Sequence, residues 1–428
     1  MIEKLKIKIY NLLRWSQKYT KTDMVYLFKG GSILSLGKFL NIFIAFGMSI
    51  IWANFVPKEV YGQYKYLLSF VGIFSLFSLT GMGTSLTQSL SRKNNLNLIN
   101  RVLKIKIKWS LIGTALGLIL SSYYFFIESN STLALTFLLI SVFHVFINNF
   151  TIYQSILVGQ RKFDALIKAN ILTHLISTIS IVITIFLTKS LIILLFVYLV
   201  INSLLQIKIF FYVKNKYTNK TEKDKKEEQE VIKYGKQLSA LGILSNAANY
   251  LDSLIIFNFI SPVSLAIYTF AKALPDQFKG LMKNMHSLIV PKISNNDPKD
   301  IKSGLNKKIS YLMIIGFMVF LLYFIFTPLI FNTFYPKYTE SIKYTQLIAL
   351  GFVVLPARVY LDSIFNAHRL KKSQNFRTIF TNIFFIVTLL ILTPLWGIYG
   401  VITSKLISYY LSFFFSFFFL KKELVIKG

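Results

Sequence analysis

The chain has 428 residues, of which 54% are hydrophobic and 15% charged, and its mean hydropathy is +0.57. That is more apolar surface than a soluble domain of this size can bury. The formal net charge of +31 is spread over many separate segments, which argues against a nucleic-acid-binding face, and with no cysteine the chain has neither disulfides nor thiol chemistry.

The N-terminus is basic. It places Ile2, Leu5, Ile9, Leu12 and Leu13 at helical spacing, with Lys4, Lys8 and Arg14 elsewhere. This fits an amphipathic helix on the inner leaflet, and equally a tail that sets topology. It lacks the cleavage site of a secretory leader, so none is expected.

Twelve apolar spans follow, near 24–52, 61–89, 105–127, 132–158, 165–187, 190–213, 235–260, 264–290, 308–331, 341–366, 376–394 and 398–420. The second and eighth are the weakest, carrying Lys and many small or polar residues. Of 48 basic residues, 36 fall in the N-terminus, 90–108, 159–168, 208–236, 291–308, 367–377 and the C-terminus. The opposite loops are short and nearly bare, with Lys58, Lys189 and Lys337. The positive-inside rule then puts both termini in the cytoplasm.

The run "KNKYTNKTEKDKKEEQE", Lys214 to Glu230, is the longest polar segment and reads as a solvated linker. It divides the spans six and six. The expected organisation is a six-helix bundle over 1–213, a charged cytoplasmic linker over 214–233 and a second six-helix bundle over 234–428. A repeat supports the division. "NFVPKEVYGQYKY", Asn54 to Tyr66, is echoed by "NFISPVSLAIYTF", Asn258 to Phe270, with Tyr64 and Tyr268 offset by 204. "QSILVGQRK", Gln154 to Lys162, is echoed by "DSIFNAHRL", Asp362 to Leu370, at an offset of 208. Ala169-Asn170-Ile171 faces Thr381-Asn382-Ile383 beyond them. Six is even, so the repeats are parallel, related by an axis along the membrane normal. The fold expected is an all-α polytopic membrane protein of about twelve spans in two parallel bundles around a central cavity, an architecture of alternating-access transporters.

These stretches resemble a known family. "VPKEVYGQY" after the first span, "GMGTSLTQSLSRK" closing the second, "LVGQRKF" after the fourth and "NYLDSLIIFNF" in the seventh look like a bacterial polysaccharide-biosynthesis flippase. This is the Wzx type of the MOP superfamily, related to MATE antiporters and the lipid II flippase MurJ, and the likeness runs over nearly the whole chain. It implies a V-shaped pair of bundles whose first two helices each line the cavity. It implies a site in the bacterial inner membrane and a cargo of undecaprenyl-pyrophosphate-linked oligosaccharide, moved from the inner to the outer leaflet. The implied partners are membrane lipid and other polysaccharide-assembly proteins, and the protein is expected to act as a monomer, without nucleic acid.

Ionisable residues within spans cost roughly 2.5–3.5 kcal/mol each on insertion scales, so they mark water, a partner or a ligand. In span eight Lys272, Asp276, Lys279, Lys283 and His286 form one helical stripe, with Pro275 able to kink it. Lys272 lies about ten residues in, roughly 15 Å. The lower members, Lys279, Lys283 and His286, also fit snorkelling to inner headgroups. Asp252 in span seven reaches similar depth to Lys272, as a structural ion pair or a gate. Lys38 lies near the centre of span one, Lys29 near its inner end, and Lys65 in the outer part of span two. Arg358 and Asp362 can pair on their own helix. Lys405 in span twelve stands alone, with no role assigned.

The excess of Lys38, Lys65, Lys272, Lys279 and Lys283 over carboxylates suits an anionic head group. Asp252, Asp276, Arg358 and Asp362 are candidates for gating or ion coupling. Polar residues of the same spans, such as Asn41, Gln63, Ser69, Asn246 and Tyr250, meet either sugar hydroxyls or neighbouring helices. No cofactor is expected beyond a coupling H+ or Na+, with membrane potential acting on the anionic cargo as the other energy source. Two other functions compete. A cation antiporter of the MATE kind should carry surplus buried carboxylates. A membrane enzyme needs a catalytic loop, yet the longest outer loop is "FNTFYPKYTES", Phe331 to Ser341, and the four histidines are scattered. The chain is therefore not expected to be an enzyme.

Overall fold

The computed structural model describes residues 24–92, 96–218, 225–293, 298–368 and 370–427, and every regular element among them is helical. In chain order these are α1 (Met24–Phe55), α2 (Lys58–Phe74), α3 (Gly81–Leu90), α4 (Leu96–Phe126), α5 (Ser131–Asn149), α6 (Tyr153–Gly159) and α7 (Phe163–Leu187). Then come α8 (Leu191–Tyr217), α9 (Lys225–Phe259), α10 (Pro262–Ile293), α11 (Pro298–Phe334), α12 (Ser341–Ala349), α13 (Leu355–Ala367), α14 (Lys371–Trp396) and α15 (Ile398–Lys427). The N-terminal amphipathic stretch lies outside the described residues.

Helix occupies most of each of the twelve expected spans, with breaks inside 61–89 and 341–366. By length and composition, seven helices among the described residues are long and apolar enough to cross a membrane, or nine if each of two bent pairs is one span. The bent pairs are α2 with α3 and α12 with α13, the latter turning by 41°. The other three expected spans, α1, α4 and α10, carry charged side chains within the helix. Large apolar residues are exposed along one side after another, including Ile314, Met318, Ile325 and Leu329 on α11 and Ile179, Ile183 and Phe186 on α7. Such surfaces need lipid. The chain is a multi-pass membrane protein.

The first compact unit takes Met1–Ser49, Phe77–Thr188 and Ile192–Ala240. Its core sets Met82, Leu86 and Leu90, four apart on α3, against Leu98, Ile99 and Val102 of α4, Tyr153 and Ile156 of α6 and Phe210 of α8. The chain enters α3 through Leu79, whose φ of 52° is unusual for a non-glycine residue. Lys106 of α4, 5% exposed, donates to the Ser78 carbonyl at 2.7 Å and so satisfies the backbone opened there. Glycine is required at position 81, where a Cβ would fall 2.5 Å from the Ser239 amide nitrogen of α9.

The two ends of the charged run are helical. α8 continues to Tyr217 and α9 begins at Lys225. Glu228 is buried and pairs with Arg101 at 2.5 Å, while Glu227 accepts from Ser89 at 2.7 Å. A buried carboxylate needs such partners, which composition alone does not reveal.

The second compact unit takes Ile50–Leu76, Lys189–Leu191 and Leu241–Gly428. The division therefore does not fall at the linker. α1 passes from one unit to the other after Ser49, and α9 after Ala240. The reason lies in the two repeated corners, which pack on one another. A Cβ on Gly62 would lie 1.8 Å from the Pro262 carbonyl oxygen, so only glycine allows α2 to cross the start of α10 there. The rings of Tyr61 and Phe270 lie 5.0 Å apart, Trp52 stacks on Tyr64 at 4.7 Å, and Phe270 meets Tyr338 at 4.0 Å. Each such pair contributes about 0.5–1.5 kcal/mol beyond area burial. At the edge of this cluster Lys58 pairs with Glu340 at 3.1 Å, and Lys337 donates to the Asn54 carbonyl at 2.5 Å. Below it, Leu305 and Ile309 of α11, Leu361 and Phe365 of α13 and Phe413 of α15 form the core.

Candidate substrate-binding site

The turn between α9 and α10 sets the geometry. Ser261 caps α10, its hydroxyl accepting from the Ser264 amide at 3.0 Å, and Pro262 takes the first helical position. The two helices run antiparallel from this turn. Asp252, nine residues before Ser261, thus meets Tyr268 and Lys272 beyond it.

Asp252 is 1% exposed. One of its oxygens, Oδ2, accepts from the Tyr268 hydroxyl at 2.8 Å, from Lys405 Nζ at 3.0 Å and from Lys272 Nζ at 3.3 Å. The other, Oδ1, accepts from the Ser253 amide at 2.7 Å. One buried carboxylate therefore faces two lysines, leaving a surplus positive charge. Lys405 comes from α15, far along the chain, and answers the isolated charge that sequence reasoning left without a role.

A second polar group lies further along the same helices. Lys405 and Tyr409 are spaced four apart on α15 and so share a face. Lys279 donates to the Tyr409 hydroxyl and sits 4.4 Å from the centre of its ring. Asp276, a candidate for gating or ion coupling, lies 3.8 Å from Lys279 and is itself exposed. Arg358 and Asp362 approach only to 4.0 Å. The closer partner of Asp362 is Arg377 of α14, a buried guanidinium that also donates to Ser416. Sequence reasoning had placed Arg377 among the inner-loop charges. Its position near the start of an apolar run was the only available signal.

Of the remaining candidates, Lys65 is partly buried on α2, its ammonium 5.2 Å from the centre of the Tyr61 ring. No carboxylate pairs with it among the described residues. Ser69 spends its hydroxyl on the Lys65 carbonyl of its own helix, at 2.9 Å. Lys283 is exposed on α10. The side chains of Lys29, Lys38 and His286 lie outside the described residues.

In the second unit, then, Lys65, Lys272, Lys279, Arg358, Arg377 and Lys405 outnumber Asp252, Asp276 and Asp362. The group can bind an anion. It offers no cluster of three or more His, Asp or Glu able to hold a metal among the described residues.

Comparison with known proteins agrees with this picture. The family model described as "Polysaccharide biosynthesis protein" matches residues 27–297. Among solved structures, the lipid II flippase MurJ in an inward closed conformation superposes with a TM-score of 0.71 at 18% identity, over 92% of this chain and 87% of that one. An inward-facing multidrug resistance MATE transporter of the MOP superfamily superposes with a TM-score of 0.62 at 13% identity, over 90% of this chain and 95% of that one. No curated protein sequence matches the chain. The chain belongs to the polysaccharide biosynthesis protein family, and it has the fold shared by MurJ and the MATE transporters of the MOP superfamily.

Proposed function

We propose that this membrane transporter is a flippase for polyprenyl-pyrophosphate-linked oligosaccharide, carrying a surface-polysaccharide repeat unit from the cytoplasmic to the outer leaflet by alternating access. The observation that carries the reading is the sign of the charge: Asp252 meets two lysines, and Lys65 on α2 has no carboxylate paired with it among the described residues. Lysines in a low-dielectric site attract a pyrophosphate strongly. The family match to polysaccharide biosynthesis and the fold shared with a lipid II flippase support the same substrate class.

In this reading the twelve spans form two parallel six-helix halves, and the protein sits in the bacterial inner membrane as a monomer with both termini in the cytoplasm. Lys272 is the residue that meets the cargo's negative charge. Arrival of pyrophosphate competes with Asp252 for Lys272 and favours the other access state. Lys38, Lys65, Lys279 and Lys283 extend the same attraction. If an ion is coupled, H+ or Na+ meets Asp276 most easily, because both oxygens of Asp252 are already engaged.

The test is deletion of the gene in its host. The expected result is loss of surface polysaccharide with lipid-linked repeat units accumulating in the cell. Intact surface polysaccharide together with new sensitivity to cationic drugs would replace this reading with a cation antiporter.

A further inference from the structure

Beyond the Asp252 site the second unit holds a pocket of mixed character. Lys279 of α10, Arg358 of α13 and Tyr409 of α15 line it together with Ile348, Phe352 and Leu355. Asp276 also lines it. Tyr409 stands between the cations: Lys279 Nζ lies 4.4 Å from its ring centre and the Arg358 guanidinium 5.7 Å.

Neither cation is held firmly by an acid. Asp276, 3.8 Å from Lys279, is 47% exposed, so water weakens its hold. Asp362 is the acid that comes within ion-pair range of Arg358, at 4.0 Å. Its charge is already met by Arg377, which is 5% exposed and locked by Ser416 as well. The Arg358 side chain, 28% exposed, therefore has donors to spare at the pocket. A guanidinium offers two parallel donors to a phosphate, and a lysine adds a point charge. The Tyr409 hydroxyl accepts from Lys279 and can donate its own proton to a ligand. The apolar remainder of the wall suits a hydrocarbon chain, which free phosphate lacks.

We propose that this pocket is a subsite for a phosphate ester carried on a hydrocarbon chain, with Arg358 and Lys279 holding the anion and Ile348, Phe352 and Leu355 covering the first carbons of the chain. Two sources share that chemistry: the pyrophosphate end of the lipid-linked cargo and the headgroup of a membrane phospholipid. Only the first rests on the flippase reading.

The experiment measures binding of radiolabelled farnesyl pyrophosphate to the purified full chain in detergent. Farnesol and inorganic pyrophosphate serve as cold competitors. Farnesyl pyrophosphate should compete at least tenfold better than either. Arg358→Gln and Lys279→Gln should each weaken binding tenfold or more, and Arg358→Lys less than Arg358→Gln. Lys189→Gln, at an exposed position, should bind as wild type. Because the two glutamine variants lie on different helices, a folding defect in one, read by its melting midpoint, leaves the other as the test. Wild-type binding by a folded Arg358→Gln or Lys279→Gln protein, or equal competition by farnesol, overturns the proposal.

Mixed micelles of phosphatidylglycerol separate the sources. Displacement at matched mole fraction names the membrane headgroup, and retention names the cargo. The subsite and the flippase reading fail separately. Unchanged binding in the variants removes the subsite while the deletion phenotype stands. Selective binding beside intact surface polysaccharide in the deletion strain removes the reading while the subsite stands.

Discussion

Lys405 Nζ lies 3.0 Å from Asp252 Oδ2, nearer than Lys272 at 3.3 Å. Asp252 thus keeps a cation of its own when Lys272 departs. A simple Asp252–Lys272 pair would strand a buried carboxylate each time the cargo bound, at a cost of about 3–5 kcal/mol. With Lys405 in place the carboxylate stays compensated, which under the proposed function leaves Lys272 as the partner to exchange.

The two lysines should therefore fail differently. Lys272→Ala and Lys272→Glu should insert at normal levels yet leave the cell without surface glycan, while Lys272→Arg keeps part of the activity. Lys405→Ala should leave Asp252 dependent on Lys272, lowering transport by tenfold or more because the lysine is no longer free to meet the cargo. Surface glycan scored beside protein level separates the cases. Equal, near-normal glycan from Lys272→Ala would remove Lys272 as the cargo contact.

Removing the carboxylate tests the surplus charge. Asp252→Asn leaves Lys272 and Lys405 facing each other in a buried setting and should destabilise the protein by about 3–5 kcal/mol. Adding Lys405→Met to that variant should recover much of the loss. Melting midpoints in detergent give the comparison, and no recovery in the double variant would show that repulsion is not the cause.

At the repeated corner, Gly62→Ala brings a methyl group to 1.8 Å from the Pro262 carbonyl oxygen. Forcing α2 off α10 should cost about 1–3 kcal/mol, the range for overpacking a well-packed contact. Gly47→Ala, where nothing lies within 4 Å of the added Cβ, is the control and should melt as wild type.

Within the first unit, Lys106→Met should remove the donation to the Ser78 carbonyl at 2.7 Å. A loss of about 1.5–3 kcal/mol is expected for a hydrogen bond from a charged donor. A melting midpoint equal to wild type would mean that another donor reaches that carbonyl.

The polar run between the halves divides in the same way. Shortening it within 219–224 should preserve transport, as its composition offers no apolar face to bury. Glu228→Ala should not be tolerated so well, since it removes a buried carboxylate that holds Arg101. Expression level and surface glycan of the two variants make the comparison.

Much of this protein was determined by the sequence alone. Long apolar runs place helices because the bilayer offers the backbone no other partner. The duplicated corner was legible for a local reason: each copy needs a proline start and an aromatic within a few residues. Asp252 and Lys272 could be set at one depth because a short turn joins their helices, and counting from it suffices. Which charges finally meet was decided only by tertiary structure. Lys405 reaches Asp252 across 153 residues and Arg377 takes Asp362 from Arg358 across 15. No spacing rule along a helix carries that far. Nor could composition show that the first repeated corner would pack in the compact unit of the second. That depends on one absent Cβ at Gly62, and a close approach of two helices is a property of both surfaces at once.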